Sequence, residues 1–181
     1  MNLQDYLSNA AAPSEDKTDW LHFCNLEVKS GKLWAGDPNL PNEDDGYAAE
    51  VPNGIYVVEG IGMPFYGERV VSRLRIRLQT AANPTLGDEL GETGTDSATI
   101  GVCDIAPFEA AYLEEGGADS VQEAIDSLDG ECFGVLKVPA YPDAIMPFVP
   151  IGSDGGGPVL ALMSDGQCVG VELPFMDEDD V

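Results

Sequence analysis

Three aspartates lie where carboxylates can form a site, because each follows an apolar run and sits beside a glycine or proline turn. They are Asp37, Asp104 and Asp154. Convergent carboxylates can hold a divalent cation or a ligand amine, or exchange protons in a hydrolase. Aspartates at such positions also cap turns by accepting hydrogen bonds from backbone N–H groups. The sequence leaves both interpretations open.

Histidine and cysteine offer little further chemistry. The single histidine, His22, excludes a multi-histidine metal centre, and no Gly-x-Ser-x-Gly nucleophile turn accompanies it. The four cysteines are too far apart for the close pairs that zinc and redox motifs use, and we expect them to be reduced and buried. They are Cys24, Cys103, Cys132 and Cys168. We therefore predict no catalytic set, no metal centre and no cofactor.

Residues 68–78 (ERVVSRLRIRL) alternate between apolar and polar side chains, which predicts a strand with two distinct faces. Leu74, Ile76 and Leu78 share one face. The arginines have the opposite parity: Arg69, Arg73, Arg75 and Arg77. Two interpretations follow: a cross-strand ladder with acids of a neighbouring strand, or a binding site for an anion or a peptide carboxylate.

The rest of the chain predicts about eight strands and two or three short helices. Because the strands do not alternate regularly with helices, we expect an α+β fold, mainly antiparallel, as a curved sheet or sandwich. We expect one domain over 1–181, with long loops at 36–53 and 79–95. Local signals predict hairpins over 26–35 and 159–173, helices over 2–12, 107–115 and 120–128, and an edge strand over 145–151 that contains Pro147.

Charge is the main anomaly of the composition. Asp and Glu number 33 against 8 Lys and Arg, a formal net charge of -25. Residues 79–181 hold 21 of the acids and one base, Lys137. This field disfavours binding to nucleic acid or an anionic membrane and favours a basic protein as partner. Excess acid could instead reflect a high-salt habitat.

Such a partner would need apolar anchors as well as charge, since charge complementarity mainly accelerates association. The candidates that the sequence places near turns are Tyr47, Met63, Phe65 and Tyr66. The chain has no apolar run of about 20 residues and begins without a basic, then apolar leader, so we expect a cytoplasmic protein. The oligomeric state is left open.

Four segments in order resemble the DUF4241 family: 30–38 (SGKLWAGDP), 51–58 (VPNGIYVV), 101–104 (GVCD), and 152–158 (GSDGGGP) leading into Asp165-Gly166 and Pro174-Phe175. The resemblance spans most of residues 26–175. Gly157-Pro158 and Leu173-Pro174 depart from the family pattern. The family has no known function, so the resemblance implies a β-rich fold and a bacterial intracellular setting, including toxin and immunity contexts. With the charge, it favours an immunity-like or antitoxin-like binder.

Overall fold

The computed structural model describes residues 1–8, 19–42, 46–128 and 130–176. These residues form three helices and eleven strands. In chain order they are α1 (Leu3–Ser8), β1 (Leu21–Val28), β2 (Lys32–Gly36), β3 (Gly46–Glu50), β4 (Gly54–Phe65), β5 (Glu68–Leu78), β6 (Thr85–Thr95), β7 (Thr99–Asp104), α2 (Ile105–Leu113), α3 (Gly117–Asp126), β8 (Gly134–Val138), β9 (Tyr141–Pro150), β10 (Gly155–Ser164) and β11 (Gln167–Pro174).

The strands form two antiparallel sheets. Sheet A has six strands in the order β1-β4-β5-β11-β10-β6, and sheet B has five in the order β3-β2-β7-β9-β8. The predicted α+β class, mainly antiparallel, is confirmed. Buried side chains of both sheets belong to one apolar cluster, so the sheets pack face to face as a sandwich.

Strict alternation assigns each strand of the sandwich an inner and an outer face. On β5, Leu74 and Ile76 are buried between the sheets, as their parity predicts. On β2, Leu33 and Ala35 face the same core, whereas Trp34 between them faces the other side of sheet B. Burying these period-two faces supplies the main driving force for sandwich formation.

Helices α2 and α3 cover the outer face of sheet B. Phe108 and Val121 are fully buried there against Trp34 and Leu136. Helix α1 packs on sheet A, where a Cβ at Gly62 would lie only 2.2 Å from a ring carbon of Tyr6. Helices α2 and α3 begin and end two or three residues before the predicted bounds. The predicted N-terminal helix begins at Leu3, and its residues 9–12 lie outside the described residues.

The predicted hairpin over 26–35 is wrong. Its turn at Ser30-Gly31 forms, with Gly31 at φ +79°, but β1 pairs with β4 and β2 pairs with β3 and β7. The turn therefore carries the chain from one sheet to the other. The hairpin at Asp165-Gly166 is confirmed, since β10 pairs directly with β11.

Both predicted loops contain strands. Residues 46–50 form β3, and residues 85–95 form β6, which pairs along its length with β10. Glycines and acids made β6 look like a loop. Two of its glycines instead allow close packing, because a Cβ at Gly91 would lie 2.4 Å from the Tyr47 ring and one at Gly87 2.7 Å from Met163.

Pro147 does not mark an edge strand, because β9 lies between β7 and β8. Its pairing with β7 covers only residues 148–150 and stops next to Pro147, which has no N–H to contribute. The proline thus limits one ladder of an internal strand. In the described residues, no helix is long and apolar enough to cross a membrane.

Helix α1 has only six residues, yet Leu3 is fully buried against Gly60 of β4. Leu3→Ala should lower the free energy of unfolding by about 2–4 kcal/mol, because it leaves a cavity in the sandwich core. Urea denaturation followed by tryptophan fluorescence measures this. Gln4→Ala, on the exposed side of the same helix, is the matched control and should change stability by less than about 0.5 kcal/mol. Equal effects would mean that α1 is not part of the core.

Candidate functional site

Asp37 follows β2 and is 5% exposed. Its carboxylate accepts five hydrogen bonds: from the backbone N–H of Asn39 (2.9 Å), Asp96 (2.9 Å) and Ser97 (3.1 Å), and from the hydroxyls of Thr95 (2.8 Å) and Ser97 (3.0 Å). Four of the five donors belong to residues 95–97, which end β6 and begin its connection to β7. Asp37 therefore joins the end of sheet B to the end of β6.

The electrostatics of Asp37 follow from this geometry. Burial alone would raise the pKa of the carboxyl group, but the hydrogen bonds from Asn39, Thr95, Asp96 and Ser97 outweigh burial and hold it below its ordinary value of 3.8. Asp37 is an anion at neutral pH, stabilised by neutral donors. That state suits a structural acceptor better than a general acid.

Asp104 is 4% exposed and performs a similar task at the other end of β2. It accepts hydrogen bonds from the backbone N–H of Lys29 (2.7 Å) and Ser30 (3.0 Å), and from the Ser30 hydroxyl. It is also the N-cap of α2, accepting from the Ala106 N–H at 3.4 Å. One carboxylate thus fixes both the crossover between the sheets and the start of α2.

The three aspartates do not form one site. Asp104 is opposite Leu33 in the register with β2, and Asp37 lies four residues further along, about 13 Å at strand spacing. Asp154 is exposed in the loop before β10. Among the described residues no three His, Cys, Asp or Glu side chains could hold a metal ion. The clustered-carboxylate interpretation is therefore not supported, whereas Asp37 and Asp104 are turn and helix caps.

The arginines of β5 form a cross-strand ladder on the outer face of sheet A. Glu59 of β4, 9% exposed, accepts hydrogen bonds from Arg75 Nε (3.1 Å) and Nη2 (2.8 Å) and from Arg77 Nε (3.0 Å) and Nη2 (3.2 Å). On the other side, Arg73 pairs with Glu172 of β11, which is 4% exposed. The Trp20 ring covers Arg75, whose Cζ lies 4.1 Å from the ring centroid.

The ladder excludes Arg69 because β5 contains a bulge. Ile61 is opposite Arg73 and Gly62 is opposite Val71, so Ser72 is the extra residue and the faces exchange beyond it. Arg69 accordingly lies toward α1, where it stacks 4.5 Å from the Tyr6 ring centroid and donates to the Tyr6 carbonyl oxygen. The shared parity of four arginines wrongly predicted one common face.

Of the four predicted partner anchors, one is freely exposed. Met63 is buried, and Tyr47 packs between β3 and β6 with its hydroxyl donating to the Leu90 carbonyl oxygen at 2.9 Å. Phe65 is half-buried and meets Tyr66 edge to face, with ring centroids 4.7 Å apart. Tyr66 is 95% exposed at the tip of the β4–β5 hairpin, at φ +46°.

Helix α2 carries exposed apolar residues that the sequence analysis missed. Leu113 is 89% exposed and Tyr112 is 39% exposed, although the helix (IAPFEAAYL) buries Ile105, Phe108 and Ala111 on its other side. A helix with apolar residues on all sides usually has both faces covered. The apolar composition of α2 could therefore have indicated a contact on its outer face. Further exposed acids lie in and around α3: Glu114, Glu115, Asp119, Glu123, Asp126 and Glu131. We call Tyr112 and Leu113, together with Glu114, Glu115, Asp119 and Glu123, the helical surface.

A shallow apolar groove runs beside the same helix. It has a volume of about 490 Å³ and is lined by Ala106, Pro107 and Ala110 of α2 and by residues 140–144, with Lys29 and Asp143 at its rim. Lys29 contacts Asp143 (3.4 Å) and Glu27 (3.3 Å). A second cavity of about 490 Å³ lies at the far end of α3, between Phe148 and the Asp37 region.

The thiols are unsuited to nucleophilic chemistry where they are buried. Burial raises the pKa of Cys24 to about 12 and that of Cys103 well above its usual value. The expectation of burial fails for Cys132, which is exposed. His22 is exposed, and its Nε2 lies 3.3 Å from the Asn25 side-chain oxygen.

We predict that Asp37→Asn lowers the free energy of unfolding by about 2–3 kcal/mol, because an amide cannot accept all five hydrogen bonds. The folded pKa of Asp37 is depressed, so its contribution to stability is present above 3.8 and is lost as the pH falls below that value. Urea midpoints measured between neutral and strongly acid pH should therefore vary less in the variant. Asp154→Asn removes a carboxylate from an exposed loop and should match wild type; a comparable loss there would refute the assignment.

We predict that Glu59→Gln costs about 2–4 kcal/mol, because it leaves two mostly buried guanidinium groups without their counter-ion. Burial alone would raise the pKa of Glu59, but the hydrogen bonds from Arg77 and Arg75 hold it below its ordinary value of 4.5. Thermal and urea unfolding measure the change. Glu27→Gln, which affects a half-exposed pair with Lys29, should cost less than about 0.5 kcal/mol. A stable Glu59 variant would favour an anion site over the ladder.

A scan against protein-family models, a search of curated proteins and a search of solved structures each found no match to this chain. The resemblance to the DUF4241 family therefore stays a prediction from the sequence.

Proposed function

We propose that this protein is an acidic binding protein that docks a basic protein through the helical surface. The observation that carries the proposal is Leu113, an almost fully exposed leucine on a helix whose other side is in the core. Exposed apolar anchors surrounded by polar residues are typical of binding hot spots. Leu113 is followed directly by two exposed acids, Glu114 and Glu115.

The charge around the anchor sets the chemistry of the partner. No lysine, arginine or histidine occurs between residues 105 and 131, so nothing in this segment neutralises its acids. A cationic surface would be attracted over about 8 Å at physiological ionic strength. The apolar groove along Ala106 and Ala110 extends the contact beside the anchor. An immunity-like or antitoxin-like role, in which the protein covers a basic cleft of a toxin, fits this chemistry.

The arginine ladder favours the helical surface indirectly, because within the described residues it removes the arginine face as the alternative binding site. Arg75 and Arg77 share Glu59, and Arg73 pairs with Glu172, so these cations do not form an open anion site. The residues that the sequence predicted as anchors are not the ones that we assign to the partner contact. Met63 and Tyr47 serve the core and the β3–β6 contact, and Tyr66 lies on a hairpin tip of sheet A. We assign the anchor role to Leu113 with Tyr112.

The proposal is tested by affinity capture from the native host at low salt, comparing wild type with Leu113→Ser. We expect wild type to retain a basic protein and the variant to bind that protein about 10- to 30-fold more weakly, the loss typical of a hot-spot residue. Leu86→Ser is the matched control, because Leu86 is 52% exposed on β6 and lies outside the helical surface. Capture of no basic protein, or equal loss in both variants, would overturn the proposal.

The association rate with the captured partner tests the electrostatic part separately. It should fall about tenfold between about 0.05 and 0.5 M salt, because screening removes the attraction between exposed charges. Replacing Glu114 and Glu115 with glutamine should lower the rate at low salt and flatten this dependence. Surface plasmon resonance measures both. A rate independent of salt, with these acids intact, would contradict docking by charge.

A further inference from the structure

The cavity at the far end of α3 is built from parts of three elements. Its walls are Pro38 and Asn39 after β2, Ser97 and Thr99 before and in β7, and Phe148 of β9. At the end of α3 and just after it, Ile125, Asp126, Leu128, Gly130 and Glu131 complete the lining. Its volume of about 490 Å³ lies in the range of small-molecule pockets, about 300–1,000 Å³. It is separate from the groove beside α2 and from the exposed Leu113.

Three hydroxyl groups lead from Asp37 to this cavity, and their hydrogens can be assigned by counting. Thr95 Oγ1 donates to one carboxylate oxygen of Asp37 at 2.8 Å, and Ser97 Oγ donates to the other at 3.0 Å. A carboxylate anion is the strongest acceptor available to both. With Ser97 donating to Asp37, Thr99 supplies the hydrogen for the 2.7 Å contact between Ser97 Oγ and Thr99 Oγ1, and the 2.9 Å contact between Thr95 Oγ1 and Ser97 Oγ has no hydrogen of its own.

Thr99 therefore presents only lone pairs to anything else. Its one hydrogen is directed inward along the chain to Asp37, and it lines the cavity. A ligand that contacts the Thr99 oxygen must supply the hydrogen. The buried anion at Asp37 thus makes this part of the wall a hydrogen-bond acceptor.

The charged groups at the cavity are all negative among the described residues. Asp126 and Glu131 line it, and no lysine, arginine or histidine does. Asp126 accepts a hydrogen bond from the Gln122 amide at 2.7 Å, and both carboxylates remain exposed. The described acids form no group of three that could hold a metal ion, so a bare cation is not the ligand that this geometry favours.

Another part of the lining is apolar. Ile125 and Phe148 are almost fully buried, and Leu128 is half-buried. Such a wall offers contact area to a hydrocarbon or aromatic group but nothing to a hydrated ion. We propose that this cavity binds a small organic cation, an amine with an apolar body, whose ammonium group meets Thr99, Asp126 and Glu131 and whose body packs on Ile125, Leu128 and Phe148.

Isothermal titration with 2-phenylethylamine tests the proposal, with 2-phenylethanol and 3-phenylpropionate as neutral and anionic isosteres. We expect the amine to bind about tenfold more tightly than the alcohol, because its hydrogen bonds are charge-assisted, and the carboxylate not to bind. Nα-acetyl-lysine methylamide carries the same ammonium group on a polypeptide-like chain and should bind more weakly than the aromatic amine. A tighter fit for the lysine compound would overturn the assignment to a free amine and would place a side chain of a protein partner in the cavity.

Two variants and a matched control locate the ammonium group. Glu131→Gln and Thr99→Val should each weaken binding of 2-phenylethylamine about 3- to 10-fold, since the first removes the negative charge and the second removes the hydroxyl acceptor, and both nearly preserve shape. Glu115→Gln makes the same change of charge on the helical surface and should leave amine binding unchanged. Urea midpoints of all three variants check folding. No amine binding at millimolar concentration, equal affinity for amine and alcohol, or an equal effect of Glu115→Gln and Glu131→Gln would refute the site.

Discussion

The fold depends on how an acidic chain stabilises the carboxylates that it buries. With 33 acids and 8 bases, ion pairing cannot serve most of them, and an isolated buried charge is very costly. In the part of the chain that the structure describes, four acidic side chains are nonetheless buried: Asp37, Glu59, Asp104 and Glu172. The two glutamates use three of the arginines, and the two aspartates use backbone N–H and hydroxyl donors. The glutamates connect strands within sheet A, whereas the aspartates hold the ends of β2, the crossover between the sheets and the start of α2.

Because neutral donors stabilise the buried aspartates, the few bases are free to work elsewhere. Four of them lie on β5, three in the ladder and Arg69 against α1. The chain thereby concentrates its cations within sheet A and leaves the α2–α3 segment without any. The anionic C-terminal half does not separate in space from the arginine-bearing strand, because β11, β10 and β6 join β5 in sheet A and Glu172 of β11 pairs with Arg73. The ladder face is locally balanced, whereas the helical surface is a nearly pure anion.

Alternation predicted β5 correctly because one strand with one buried face needs only its own sequence. Leu74 and Ile76 follow that rule, whereas Arg69 does not, because the bulge at Ser72 depends on the pairing with β4. The Ser30-Gly31 turn was predicted correctly, but its role as the connection between the two sheets was not, since a turn does not specify which strands pair. β6 was missed because its glycines are explained by Tyr47 and Met163, which are distant in sequence. The capping roles of Asp37 and Asp104 could be predicted from their positions at strand ends. The distance between the two carboxylates could not, because it depends on how β2 and β7 pair in sheet B. The sequence shows that residue 113 is an apolar leucine, but its exposure could be found only from the structure.

The two explanations of the acidity, a high-salt habitat and a basic partner, make different demands on apolar surface. A habitat requires only that acids cover the exterior, and it gives no reason to expose a leucine or to leave α2 apolar on its outer side. An interface requires both, because charge accelerates encounter while desolvated apolar contacts hold the complex. Leu113 is 89% exposed, and the segment 105–131 that contains it has acids but no lysine, arginine or histidine. It is this combination, more than the total of -25, that favours a docking surface.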